Sequence, residues 1–160
     1  MKFSDLTKKI DSLETELSNI ELKHIKAQYN PERFKYWKSL YVCSDNDFLN
    51  MSESPHCRLL RRYEKHGDNI WKNIHKTPYY KMHEKYGKKH EWTLSKTKKF
   101  VNIFNEIKIK REFKEPPVIL QKPLVKNIHN NSYEIFEGHH RVACSIVCNF
   151  VTINCLLVRN

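Results

Sequence analysis

Near the C-terminal end of the chain, a single glycine is followed by two imidazoles and a guanidinium, within Tyr133-Glu134-Ile135-Phe136-Glu137-Gly138-His139-His140-Arg141-Val142-Ala143. An alternating apolar run leads into the glycine and a helix-like apolar run leaves it, so the pattern reads as a strand-to-helix turn with positive chemistry at the bend. Such a turn suits a phosphate. Helix N-terminal amides carry partial positive charge, an arginine grips two oxygens at once, and glycine lets a ligand approach the backbone. Arg141 would neutralise charge, while His139 and His140 would donate hydrogen bonds to phosphate oxygens or act as acid and base near neutral pH. Glu137 would help hold a magnesium ion or take a proton from a hydroxyl group. The same residues also fit a solvated surface turn, with Glu137 in an ordinary surface ion pair.

The elements that must position this turn are legible around it. A strand follows a proline (Pro117-Val118-Ile119-Leu120), and a return strand runs from Tyr133 to Phe136. A helix follows the turn, and a last strand spans Val151 to Val158. A helix from about Ser95 to Lys110 leads into the first of these strands, and His129 with Asn130-Asn131 reads as a hairpin loop. Glu112 and Glu115, just before the first strand, are further carboxylates with no assigned role.

This arrangement resembles the ParB/sulfiredoxin-like superfamily over roughly the last 60 residues. In sulfiredoxins the residue after the glycine is the reactive cysteine; here it is His139, so sulfinic-acid repair is not implied. Chromosome-partition members carry Glu-Arg-Arg where this chain has His139-His140-Arg141. The free-serine kinases of the fold, and many small ParB-like proteins, have a Gly-His-x-Arg form preceded by an acid, a place that Glu137 could take. The resemblance implies a nucleotide-phosphate site at Gly138, His139, His140 and Arg141. It further implies a nucleoside triphosphate (ATP or CTP) with Mg, and a phosphotransferase acting on a small hydroxylated or glycan-linked substrate. Ser54-Pro55-His56-Cys57-Arg58 and the later Tyr79-Tyr80 resemble small members encoded near surface-polysaccharide genes, which would add Ser54, His56 and Arg58 to the functional surface. Read locally, Ser54 caps a helix whose first residue is Pro55.

Charge and cysteines bound the alternatives. Of the formal net charge of +11, residues 1–57 carry 8 Lys/Arg against 9 Asp/Glu, residues 58–111 carry 16 against 5, and residues 112–160 carry 5 against 4. The excess therefore lies in the middle third, where cations interleave with aromatics: Arg61, Arg62, Tyr63, Trp71, Lys72, His75, Lys76, Tyr79, Tyr80, Lys81, His83, Tyr86, Lys88, Lys89 and Trp92. That composition fits stacking on bases beside phosphates, or packed helices with lysines outside. Five cysteines (Cys43, Cys57, Cys144, Cys148, Cys155) without a Cys-x-x-Cys pair argue against a disulfide framework or a zinc site. Cys144 and Cys148 read as small core residues of the last helix. No Walker-type loop, His-Glu-x-x-His or Gly-x-Ser-x-Gly occurs. With no signal-like or membrane-length apolar run, the expected location is cytoplasmic.

At the N-terminus, Phe3, Leu6, Ile10, Leu13, Leu17 and Ile20 recur at heptad spacing and predict an amphipathic helix over about 3–28. It would pack on the body of the chain or pair as a homodimer. A short helix over about 31–41, a turn at residues 44–47 and basic aromatic helices over 54–92 follow. The expected fold class is thus α+β: an N-terminal helical layer (1–94) and a small ParB/sulfiredoxin-like α/β core (95–160). A nucleotide-binding phosphotransferase, a DNA- or RNA-binding module or nuclease acting through residues 58–111, and a non-enzymatic partner protein all remain open at this point.

Overall fold

The computed structural model describes residues 13–27, 50–122 and 132–159. It is an α+β arrangement of helices on a mixed five-stranded sheet. The strands are β1 (Thr15–Glu21), β2 (Ile25–Lys26), β3 (Val118–Leu120), β4 (Tyr133–Glu137) and β5 (Thr152–Val158), in the spatial order β1-β5-β3-β4-β2. β5 runs antiparallel to β1 and parallel to β3, and β4 runs antiparallel to β3 and parallel to β2. Among the described residues four α-helices accompany it: α1 (Pro55–His66), α2 (Pro78–Lys85), α3 (His90–Lys110) and α4 (His139–Val147). A 3-10 stretch (Gly67–Lys76) lies between the first two.

The helices follow from local sequence rules. Ser54 Oγ accepts from the Cys57 amide at 3.2 Å and Pro55 opens α1. Thr77 Oγ1 accepts from the Tyr80 amide at 3.3 Å and Pro78 opens α2. α3 ends where Arg111 takes a left-handed φ of 60° and its amide donates to the Ile107 carbonyl at 2.8 Å. The Arg111 guanidinium then donates to the Cys148 carbonyl at 2.9 Å and lies 4.1 Å from the Phe150 ring centroid, fastening the end of α3 to the α4–β5 turn.

One sheet face meets the helices through Ile20, Ile119, Ile135, Ile153, Cys155 and Leu157, and Leu120, Phe136 and Val158 form a smaller cluster apart from that core. α4 packs against both α1 and α3, and its Val142, Ala143 and Cys144 are fully buried. The small residues let helices approach closely: Cys57 Sγ of α1 lies 3.8 Å from the Ala143 carbonyl oxygen. Burial pushes the Cys57 thiol up to about 11, and raises Cys144 as well, so these are packing residues, as the sequence suggests for Cys144. Among the described residues no helix is long and apolar enough to cross a membrane.

The N-terminal segment corrects the sequence reading. The helix expected over about 3–28 is absent from its described part: residues 15–21 are strand β1, Leu22–His24 form a 3-10 turn, and Ile25–Lys26 are β2. The heptad seam is consequently dispersed, with Ile20 only 6 % exposed and Leu17 77 % exposed, and residues 13–21 present no helical dimer seam. β5, rich in Ile and Leu, has a free outer flank that β1 satisfies along its whole length, from Thr15 opposite Val158 to Glu21 opposite Thr152. Backbone pairing and burial of Ile20 on Ile153 thus override a helical period that only three described residues support. The Asn19 amide donates to Asn154 Oδ1 at 2.7 Å, and Arg159 pairs with Glu16 at 2.7 Å. The sheet therefore draws on both ends of the chain. The expected helix at 31–41, the turn at 44–47, the His129 loop, Cys43, Phe3, Leu6 and Ile10 lie outside the described residues.

The strand assignment separates two substitutions that a helical seam would make equivalent. Ile20→Ala should lower stability by about 2–4 kcal/mol, and Leu17→Ala by less than about 1 kcal/mol, read from urea midpoints at constant slope.

Candidate functional site

β4 ends at Glu137, and the chain turns at Gly138 directly into α4. Gly138 has φ of 98° and ψ of 28°, a left-handed conformation that favours glycine, and no side chain caps the helix it opens. A Cβ placed there would stand 2.7 Å from Pro117 Cβ and 3.0 Å from Pro117 Cα. The turn is thereby seated on the entry to β3. Arg141, one turn into α4, is held by the same entry: Nη1 donates to the Pro116 carbonyl at 3.2 Å and Nη2 to Glu115 Oε2 at 3.2 Å. Glu115, left without a role by sequence, is thus the partner of the arginine.

His140 faces inward. Its ring centroid lies 4.3 Å from that of Phe100 and 5.3 Å from that of His56, and its Nε2 shares a 2.8 Å hydrogen bond with the Tyr79 hydroxyl. Burial, then the cations Lys96, His139, His83 and Arg141, push its pKa down to about 3. Burial raises Tyr79. The bond therefore joins two neutral groups at pH 7, and His140 brings geometry and hydrogen-bonding capacity to the site rather than charge. His139, the first helical residue, stacks toward His56 with centroids 6.0 Å apart. His56, only 8 % exposed, also meets Tyr79 edge-on at 5.2 Å.

Six of the eight residues singled out by sequence line one cavity of about 550 Å³: His56, Glu137, Gly138, His139, His140 and Arg141. The other two do not line it. Ser54 is buried as the cap of α1. Arg58 donates through Nε to the Glu53 carbonyl and through Nη2 to Glu53 Oε2, both at 3.2 Å. The Ser-Pro-His-x-Arg stretch thus places His56 in the cavity and fastens the start of α1 with its neighbours.

The opposite wall comes from α2, α3 and their connection: Met82, His83, Tyr86, Lys88, Trp92 and Lys96. His83, Lys88 and Trp92 stand out in the sequence as part of a basic aromatic stretch, without a link to the glycine turn. Lys96 goes unnoticed there. The available signal is helical spacing: Trp92, Lys96 and Ile103 form a stripe on α3 beside the buried Thr93, Thr97 and Phe100. Among the described residues Glu137 is the sole carboxylate lining the cavity. A neighbouring cleft of about 350 Å³ shares Ile103 and Arg141 and is flanked by Glu106, Lys110, Glu112 and Glu115. Among the described residues no group of His, Cys, Asp and Glu is arranged to hold a metal ion.

Comparisons with family models, with curated proteins and with solved structures give no match to this chain.

Two outcomes follow from this geometry. Gly138→Ala should cost about 1–3 kcal/mol by strain at positive φ and collision with Pro117, measured by urea unfolding. For His140, the unfolded imidazole takes a proton near its ordinary 6.5, whereas the folded one waits until about 3, so stability declines as pH falls through that window. Against wild type, His140→Gln, which keeps a hydrogen-bonding group toward Tyr79, should flatten the stability–pH slope between pH 6 and 5 by up to about 1.4 kcal/mol per pH unit.

Proposed function

We propose that the cavity binds the phosphates of a nucleoside triphosphate, ATP or CTP, and that the chain is a nucleotide-dependent phosphotransferase with a ParB/sulfiredoxin-like α/β core. The observation that carries this reading is convergence: the uncapped first turn of α4, Arg141, Lys88 and Lys96 surround a cavity whose lining includes one carboxylate. A concavity of that size with a few convergent polar groups suits a nucleotide-sized ligand, and its charge balance suits an anion. The strand, glycine turn and helix that frame it agree with the order that the resemblance implies.

In this reading Lys96, Lys88 and Arg141 neutralise phosphate oxygens, and the amides at the start of α4 donate to them. His139 donates a hydrogen bond to the transferred group. His140, fixed by Tyr79, positions the first turn of α4 and its neighbour His139. Glu137 accepts the proton of an acceptor hydroxyl from a small hydroxylated or glycan-linked substrate. Magnesium would enter with the triphosphate, held chiefly by phosphate oxygens and water, and holding it would be the alternative role of Glu137 to accepting that proton. A second reading, DNA or RNA binding, draws on exposed lysines of α2 and α3, such as Lys81, Lys85 and Lys99. It predicts affinity that falls steeply with salt.

The test is a thermal-shift panel of ATP, CTP, GTP and UTP, with and without magnesium, on wild type and Lys96→Ala. A nucleotide at ~100 times its dissociation constant should stabilise wild type by about 2.7 kcal/mol, a rise of several degrees. Lys96→Ala should lose most of it. No shift with any nucleotide would reject the proposal.

A further inference from the structure

The wall opposite the glycine turn is not uniformly cationic. Trp92, near the start of α3, lines the cavity with 43 % of its surface exposed. An indole of that exposure represents apolar area left uncovered, and it is held in place rather than loose. His83 meets it edge-on with centroids 5.2 Å apart, and Thr93, the next residue, is fully buried. Above the ring stands the Lys88 ammonium, 5.0 Å from its centroid. A cation over an exposed indole is a weak contact, on the order of 1 kcal/mol or less, and lysine is readily displaced. Lys88 lies in the short connection between α2 and α3, next to Gly87 at φ of 72°.

A run of rings links this platform to the glycine turn. Trp92 touches His83, His83 lies 4.7 Å from Tyr79 by centroid, and Tyr79 bonds His140. The indole and the turn are therefore two ends of one cavity, one flat and apolar, the other cationic at a helix start that no side chain caps. That polarity matches a molecule with a planar aromatic end and an anionic end.

Resting on the phosphate site proposed above, we infer that Trp92 is the stacking platform for the nucleobase of a mononucleotide. The base replaces the Lys88 ammonium over the indole and thereby releases Lys88 to the phosphates. Stacking is sequence-tolerant, since every base offers a π-face, so the platform supplies affinity for nucleotides over plain polyphosphates without choosing the base.

The experiment measures dissociation constants of ATP and of inorganic tripolyphosphate by calorimetry for wild type, Trp92→Ala and Trp92→Phe. The inference expects wild type to bind ATP on the order of tenfold more tightly than tripolyphosphate. Trp92→Ala should erase that preference while tripolyphosphate affinity holds or rises, because Lys88 is then free to meet the phosphates, and Trp92→Phe should restore most of the preference. Equal affinities in wild type, or a preference that survives Trp92→Ala, would overturn the platform and leave the phosphate site standing. Failure of both ligands to bind wild type would overturn the two together. Binding of a single-stranded oligonucleotide that depends on Trp92, with no binding of ATP, would overturn the mononucleotide in favour of a nucleic-acid strand.

Discussion

The contact of Gly138 with Pro117 organises the molecule around it. The glycine turn of β4 rests on the proline with no room for a side chain, and the Pro117 carbonyl accepts the Leu156 amide of β5 at 2.9 Å. One residue thus sets the height of the turn above the sheet and ties β3 to β5. The preceding carbonyl, of Pro116, takes the Arg141 guanidinium, so the first turn of α4 is fixed at both ends. From there the orientation of α4 follows, with Val142, Ala143 and Cys144 buried against α1 and α3 while His139 and His140 stay at the cavity. Loosening this contact would shift the first turn of α4, against the hold that Tyr79 keeps on His140 and that Pro116 and Glu115 keep on Arg141.

Electrostatics explains why the cavity tolerates so many basic groups. His83, His139, His140, Arg141, Lys88 and Lys96 line one space, and if all were charged their mutual repulsion would oppose folding. Burial against Phe100 and Tyr79 keeps His140 neutral and removes one charge from the innermost position. The Arg141 charge is shared with Glu115. What remains is exposed Lys88 with half-buried Lys96 and Arg141 over a neutral aromatic floor. The low dielectric of that floor strengthens the field at the cavity.

Much of the half that frames the turn was readable from the chain. Pro117 to Leu120, Tyr133 to Phe136, the glycine and the last strand appear as β3, β4, the turn and β5, because each is a short apolar run with its own punctuation and local rules suffice. Ser54 and Pro55 declare the start of α1 for the same reason. β1 was illegible because Leu13, Leu17 and Ile20 fit a period of 3.5 by themselves. Only the presence of β5, more than a hundred residues away, selects the strand. The site was half legible in the same sense: residues adjacent in sequence to the glycine could be grouped, but Tyr79, Trp92 and Lys96 reach it through packing of α2 and α3. Arg58 does not line the cavity, and a sequence cannot reveal that its guanidinium pairs with Glu53.

The cavity therefore has two walls of different origin and different mechanical character. The turn side is bolted to the sheet by Pro117, Pro116 and Glu115, and its positions are set by backbone geometry. The other side hangs on α2, the Gly87–Lys89 connection and the first turns of α3, where Lys88 and Trp92 are exposed. Cations required to meet a transferred phosphate need the rigid wall, since small displacements there weaken preorganised charge. Groups that accommodate the remainder of a ligand gain from the adjustable wall, since lysines and an exposed indole can shift with little loss of packing. Under the proposed phosphate site, this division would place affinity for phosphate in the sheet-anchored turn and leave discrimination among phosphate-bearing molecules to α2, α3 and the short connection between them.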